Sequence, residues 1–160
     1  MIKGMKISDF LRDKAVTTNL VATDKPEAIR ELVQMLVDAG DVKSADRDRL
    51  VDVLLAREAL GSTGIGQGVG IPHGKSNAVK DLVGAFGISP NGVNFDALDG
   101  DSVYIFFLLV APEDSAGPHL KALARISRLL KDRFFRESLR EAKDIKTVLK
   151  IIHQQDQRHT

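Results

Sequence analysis

A layered α/β domain is the fold this sequence predicts, and three features carry the prediction. Apolar stripes at helical spacing stand towards both ends of the chain, β-branched and aromatic runs stand in its middle, and a glycine-dense stretch precedes those runs. After a short opening turn at residues 8–11, AVTTNL at 15–20 reads as a short strand. TDKPEAIRELVQMLVDAG follows, with Asp24 as N-cap, Pro26 in the first turn, Glu27 three residues after the cap and Gly40 as the stop. Ile29, Leu32, Val33, Leu36 and Val37 recur along it at helical spacing. A second helix is predicted over 44–60, burying Leu50, Val53 and Leu54 and ending at Gly61. GSTGIGQGVGIPHGKS at 61–76 holds six glycines in sixteen residues, too many for a helix, and reads as strand edges with close backbone approaches. LVGAFGIS at 82–89 and the run from 103 to 110 are the clearest strands, joined through the turn signals PNG and LDGD. Helices then resume: a stripe of Leu120, Leu123, Ile126 and Leu130, a shorter helix in FFRESLREA, and a third in DIKTVLKIIHQ, before QQDQRHT trails off as a polar end. No internal repeat or low-complexity linker interrupts this order.

Composition narrows the function classes. With 160 residues and 43% apolar content the chain reads as one globular domain over 1–160, with its core at about 7–152. Lys plus Arg number 23 against 22 for Asp plus Glu, and the signs are interspersed, so nucleic acid is not an expected partner. Cysteine is absent, which removes disulfides, thiolate chemistry and zinc ribbons and fits a reducing, cytoplasmic setting. MIKGMKISDFL has no apolar core of the signal-peptide kind. VYIFFLLVA at 103–111 is about half of what a spanning helix needs, so a soluble protein without membrane insertion is expected.

The candidate chemistry centres on GVGIPHGK at 68–75. A phosphate-binding loop is tempting, but the position of its first glycine holds Val69, Gly68 lies one residue early, and no long helix follows Lys75. GIGQGVG likewise has glycines at the wrong steps for a dinucleotide fold. The four histidines show no short ligand pairing, so no metal site is predicted, and no GxSxG marks a serine hydrolase. What remains is His73 as a nucleophile, one ring nitrogen attacking a phosphoryl group while a hydrogen bond holds the other. Gly70 and Gly74 clear side chains from around the ring and Pro72 stiffens its approach. Arg57, ending the second helix, offers a bidentate clamp for phosphate oxygens, and His119 falls at a helix start where free amides favour an anion. Ser62, Thr63 and Gly74 complete the expected site as phosphate supports. Each residue also has an ordinary explanation: a turn histidine, a half-buried histidine on the face of Leu123, Ile126 and Leu130, a solvated helix-end arginine, two turn hydroxyls. Singly they decide little.

Together, LLAREALGSTGIGQGVGIPHGKS, then GVNFDALDGDSVYIFFLLVAPE, then PHLKALARISRLLKDRFFRESL resemble the fructose/mannitol-type enzyme IIA domain of the bacterial phosphoenolpyruvate-dependent sugar phosphotransferase system. The resemblance spans roughly residues 7–152 and implies a mixed parallel/antiparallel β-sheet with helices on both faces. It implies that His73 accepts a phosphoryl group from the phosphocarrier HPr and passes it to an enzyme IIB, with Arg57 and His119 supporting the phosphate and no cofactor or metal taking part. Gly70 stands where alanine is common in the family. The family includes nitrogen-type IIA regulators, which take phosphate from a dedicated HPr relative and control target proteins. The single free domain favours that branch, whereas GKSNAVKDLVG and GVNFDALDG read much like fructose-type sequences. The regulator is the expectation taken forward, with the sugar-specific domain as its alternative.

Overall fold

A computed structural model describes residues 5–159; residues 1–4 of the opening segment and residue 160 of the polar end lie outside the described residues. A 3-10 turn at Ile7–Asp9 leads into strand β1, Leu11–Thr17. Helix α1, Lys25–Asp38, starts as its signals predict, with Asp24 accepting a hydrogen bond from the Glu27 amide, and left-handed Gly40 (φ 85°) follows its end. Helix α2, Arg47–Ala59, begins three residues later than expected because residues 44–46 form a 3-10 turn. Strands β2, Gly64–Gly66, β3, Val69–Gly70, and β4, His73–Lys75, divide the glycine-dense stretch. The long strands are β5, Val83–Val93, and β6, Val103–Ala111. Helices α3, Ala116–Leu130, α4, Arg133–Glu141, and α5, Ile145–Arg158, complete the chain.

The sheet runs β1-β5-β6-β3-β2, with β4 also paired to β6. β1 lies parallel to β5, and β3 and β4 lie parallel to β6, while β5 with β6 and β2 with β3 are antiparallel. Strand alternation splits β6 between two cores. Phe106, Leu108 and Val110 join Ile29, Leu32, Leu36, Leu50 and Leu54 beneath α1 and α2. Ile105, Phe107 and Leu109 join Ile126, Leu129, Leu139, Val148 and Ile152 beneath α3, α4 and α5. Helices therefore cover both faces of a mixed sheet, as the resemblance implies.

Five local expectations need correction. β1 starts at Leu11, not at 15, because an irregularity between Leu11 and Val16 turns three charged residues, Arg12, Asp13 and Lys14, to solvent and hides the strand's alternation. PNG does not reverse the chain: Gly92 (φ 85°) sits in a bulge of β5, where its amide donates to Ser89 Oγ at 3.0 Å, and the reversal comes at residues 96–101. In α2, Leu50 and Leu54 are buried as expected, but Val51 is buried and Val53 only half-buried, so the buried stripe widens towards Val51 instead of Val53. In α3, Leu120 is 66% exposed, and Ala122 and Leu129 share the buried face with Ile126 and Leu130. The polar end does not trail off at Gln154, since α5 continues to Arg158 and buries Gln155 and Asp156.

Candidate functional site

His73 opens β4, which pairs with β6 in the register His73 to Leu109, Gly74 to Val110 and Lys75 to Ala111. Alternation along this strand sends His73 towards the α3 face and Gly74 towards α2. A Cβ on Gly74 would lie 3.3 Å from Leu54 Cδ2 and 3.4 Å from Val53 Cγ1, so the glycine lets α2 pack closely over the strand. His119, in the first turn of α3, reaches back to the sheet, and the two imidazoles meet edge to face with ring centres 5.6 Å apart.

The half-buried His73 ring is fixed through Nδ1, which lies 2.7 Å from the carbonyl oxygen of Ile71. A carbonyl only accepts, so this bond assigns the proton to Nδ1 and leaves the lone pair on Nε2. Burial pushes the His73 pKa below the ordinary imidazole value; the Ile71 bond raises it, the charge of Arg57 lowers it and that of Glu58 raises it. His119 is 8% exposed and also lowered, chiefly by burial, then by His73 and Lys75. Its Nε2 is buried without a hydrogen-bond partner among the described residues, an atom suited to a phosphate oxygen.

The other expected residues stand around this pair in different roles. Arg57 ends α2 within electrostatic range of His73, and its guanidinium donates to Gly61 O at 2.9 Å, leaving further donors of the fork unused by that bond. The Ser62 hydroxyl donates to Phe95 O at 3.1 Å and accepts from the Gly64 amide at 3.0 Å. Thr63 is buried and its hydroxyl donates to Glu58. Both hydroxyls are thus engaged in shaping the turn. Glu58, absent from the sequence-based site, is 5% exposed and takes bonds from the Thr63 amide at 3.1 Å and from the Thr63 hydroxyl.

A cleft of about 770 Å³ lined by Arg12, Asp41, Lys80 and Pro118 lies to one side and includes none of His73, Arg57 or His119. Among the described residues, no group of three or more His, Cys, Asp or Glu could hold a metal ion, and no helix is long and apolar enough to cross a membrane.

Comparison with known proteins gives this geometry a lineage. A nitrogen regulatory protein of Bradyrhizobium diazoefficiens is 36% identical over 148 residues, 92% of this chain and 95% of that protein. The fructose-specific EIIA component of a phosphotransferase system in Haloferax volcanii is 38% identical over 138 residues, 83% of this chain and 88% of that protein. The crystal structure of the nitrogen regulatory protein IIA-Ntr from Neisseria meningitidis superposes with a TM-score of 0.82 at 33% identity, covering 91% of this chain and 98% of that one. Residues 9–155 match the sequence profile of the phosphoenolpyruvate-dependent sugar phosphotransferase system, EIIA 2, and the chain is a member of that family.

Proposed function

We propose that this protein is a cytoplasmic phosphocarrier that accepts a phosphoryl group on Nε2 of His73. The observation that carries the reading is the 2.7 Å bond from His73 Nδ1 to the Ile71 carbonyl, which leaves Nε2 as the free nucleophile beside His119. The donor is a phosphohistidine on HPr or its nitrogen-type relative. Its phosphorus–nitrogen bond breaks as a bond from His73 Nε2 to phosphorus forms, and the donor imidazole leaves with the electron pair. No proton has to cross, because the His73 proton stays on Nδ1. Arg57 and the amides at the start of α3 stabilise the charge on the transferring group, and Nε2 of His119 takes one of its oxygens. Ser62, Thr63 and Gly74 support the site by holding the backbone around it.

The branch of the family we favour is the nitrogen-type regulator, whose phosphorylation state controls a target protein. Its support is the overlap along nearly the full length of the nitrogen regulatory relatives. The 38% identity to a fructose-specific EIIA component favours a second reading, in which an enzyme IIB receives the phosphate during sugar uptake. Incubation with phosphoenolpyruvate, enzyme I and either ordinary HPr or the nitrogen-type relative decides between them. We expect an acid-labile phosphate on wild-type protein and none on folded His73→Ala; labelling of that variant would remove His73 as acceptor. Preference for ordinary HPr would transfer the assignment to the sugar-specific branch.

A further inference from the structure

Glu58 is a carboxylate on the apolar side of α2, in line with Val51 and Leu54, and its side chain is 2% exposed. A charge in such a place requires both a partner and satisfied lone pairs. The partner is Lys25 at the start of α1, whose Nζ lies 3.4 Å from Glu58 Oε1. Lys25 is itself 13% exposed, stands 5.1 Å over the Phe95 ring and meets Asp96 at 3.8 Å on its outer side. The lone pairs are filled by Thr63, whose amide donates to Oε1 at 3.1 Å and whose hydroxyl donates to Oε2. From Thr63 the path continues through the backbone. The Ile71 amide donates to Thr63 O at 3.0 Å, and Ile71 O accepts from His73 Nδ1 at 2.7 Å.

We propose that Glu58 is a positioning residue for phosphoryl transfer, holding His73 in its Nδ1-protonated form through Thr63 and the backbone of Ile71. This rests on His73 being the acceptor. Each link is directional. Glu58 can only accept, so Thr63 turns both its donors inward and presents its carbonyl to the Ile71 amide. That bond holds the Gly70–Ile71 peptide, and the carbonyl of Ile71, in the next peptide along, then dictates which imidazole nitrogen keeps the proton. A carboxylate that merely closed the turn at residues 61–63 would add stability and leave the tautomer alone. Glu58 also acts on the ring through its charge, opposed by Arg57 on the same helix, while His119 faces the ring from α3 and Lys75 from β4 bears on His119.

The test reads the imidazole directly, by nitrogen–proton NMR of the full chain in the absence of any phosphate donor. In wild type His73 should be the Nδ1-protonated tautomer. Glu58→Gln keeps the size and one acceptor but removes the charge: the tautomer should persist, the ring should titrate at a lower pH than in wild type, and acceptance from phospho-HPr should slow severalfold. Glu58→Ala removes both acceptors: a mixture of tautomers should appear and acceptance should fall on the order of tenfold or more. Wild-type tautomer, titration and transfer rate in folded Glu58→Gln and Glu58→Ala would overturn the proposal, including where the denaturation midpoint falls. If Glu58→Ala does not fold, the titration in Glu58→Gln decides by itself. Failure of wild type to take phosphate would remove the acceptor reading instead, a result the donor-free spectra keep separate.

Discussion

The chemistry proposed for His73 turns on whether Nε2 keeps its lone pair at working pH. Burial is the largest influence on the ring and lowers its pKa, the Ile71 bond and Glu58 work against it, and Arg57 works with it. Phosphoryl acceptance needs the neutral ring, so the acid limb of a single-turnover transfer profile should lie below pH ~6.5, the value of an unperturbed histidine. An NMR titration of His73 checks this without the donor's own titration intervening, and a midpoint at or above that value would contradict the burial argument. The sign for stability follows. His73 and His119 are both depressed in the folded protein, so their contribution is complete above about 6.5 and is lost as pH falls through their folded values. Of the candidate site, the sequence singled out His73, Arg57 and His119 through motif order, and the fold brings them near one another, whereas Glu58 was not singled out. Its signal was present: positions 51, 54 and 58 form one helical stripe, and a carboxylate in an otherwise apolar stripe asks for a buried partner. That partner, Lys25, is 33 residues away in sequence (58 − 25), beyond the reach of local spacing.

Three elements converge at the candidate site: β4 carries His73, the proposed nucleophile, α2 ends beside it with Arg57 and Glu58, and α3 begins over it with His119. Their mutual distance depends on Gly74, because α2 rests on the strand where any side chain would stand. Gly74→Val should force Leu54 and Val53 outward and destabilise the fold by about 1–3 kcal/mol, the usual range for overpacking. Chemical denaturation measures this, and an unchanged midpoint would show that α2 yields freely. Helices were the legible elements, since α1, α4 and α5 each carry an aspartate cap immediately before a periodic stripe. Strand ends were less so. The start of β1 is set by its pairing with β5 and the bulge at Gly92 by its pairing with β6, and neither leaves a local pattern.

At the scale of the whole molecule, the opening turn and the last turn of α5 are fastened together where the sequence suggested a polar tail. Asp156 on α5 is 2% exposed, accepts from the Ile7 amide at 2.7 Å and from Arg125 Nε on α3 at 2.6 Å. Arg125 also donates to the carbonyls of Asp156 at 2.6 Å and His159 at 3.0 Å, which satisfies the last turn of α5. The Ile7 contact joins residues 149 apart in sequence, so a local reading of QQDQRHT sees only polarity. This knot holds the opening turn, α3 and α5 together through Arg125, in the second half of α3. Replacing one member leaves the other charge buried, which costs more than losing the pair. Asp156→Ala should therefore lower unfolding free energy by about 3–5 kcal/mol, whereas Arg125→Met with Asp156→Leu should recover most of that loss. Denaturant titration of the two variants measures the difference. Equal destabilisation would mean that the backbone bonds to Ile7 and His159, rather than the buried charge pair, fasten the ends. Because Arg125 stands more than one turn of α3 beyond His119 and its bonds go to α5, phosphoryl acceptance per folded molecule should stay at the wild-type rate in the double variant. A slowed rate there would show that α3 shifts as a body when Arg125 is released.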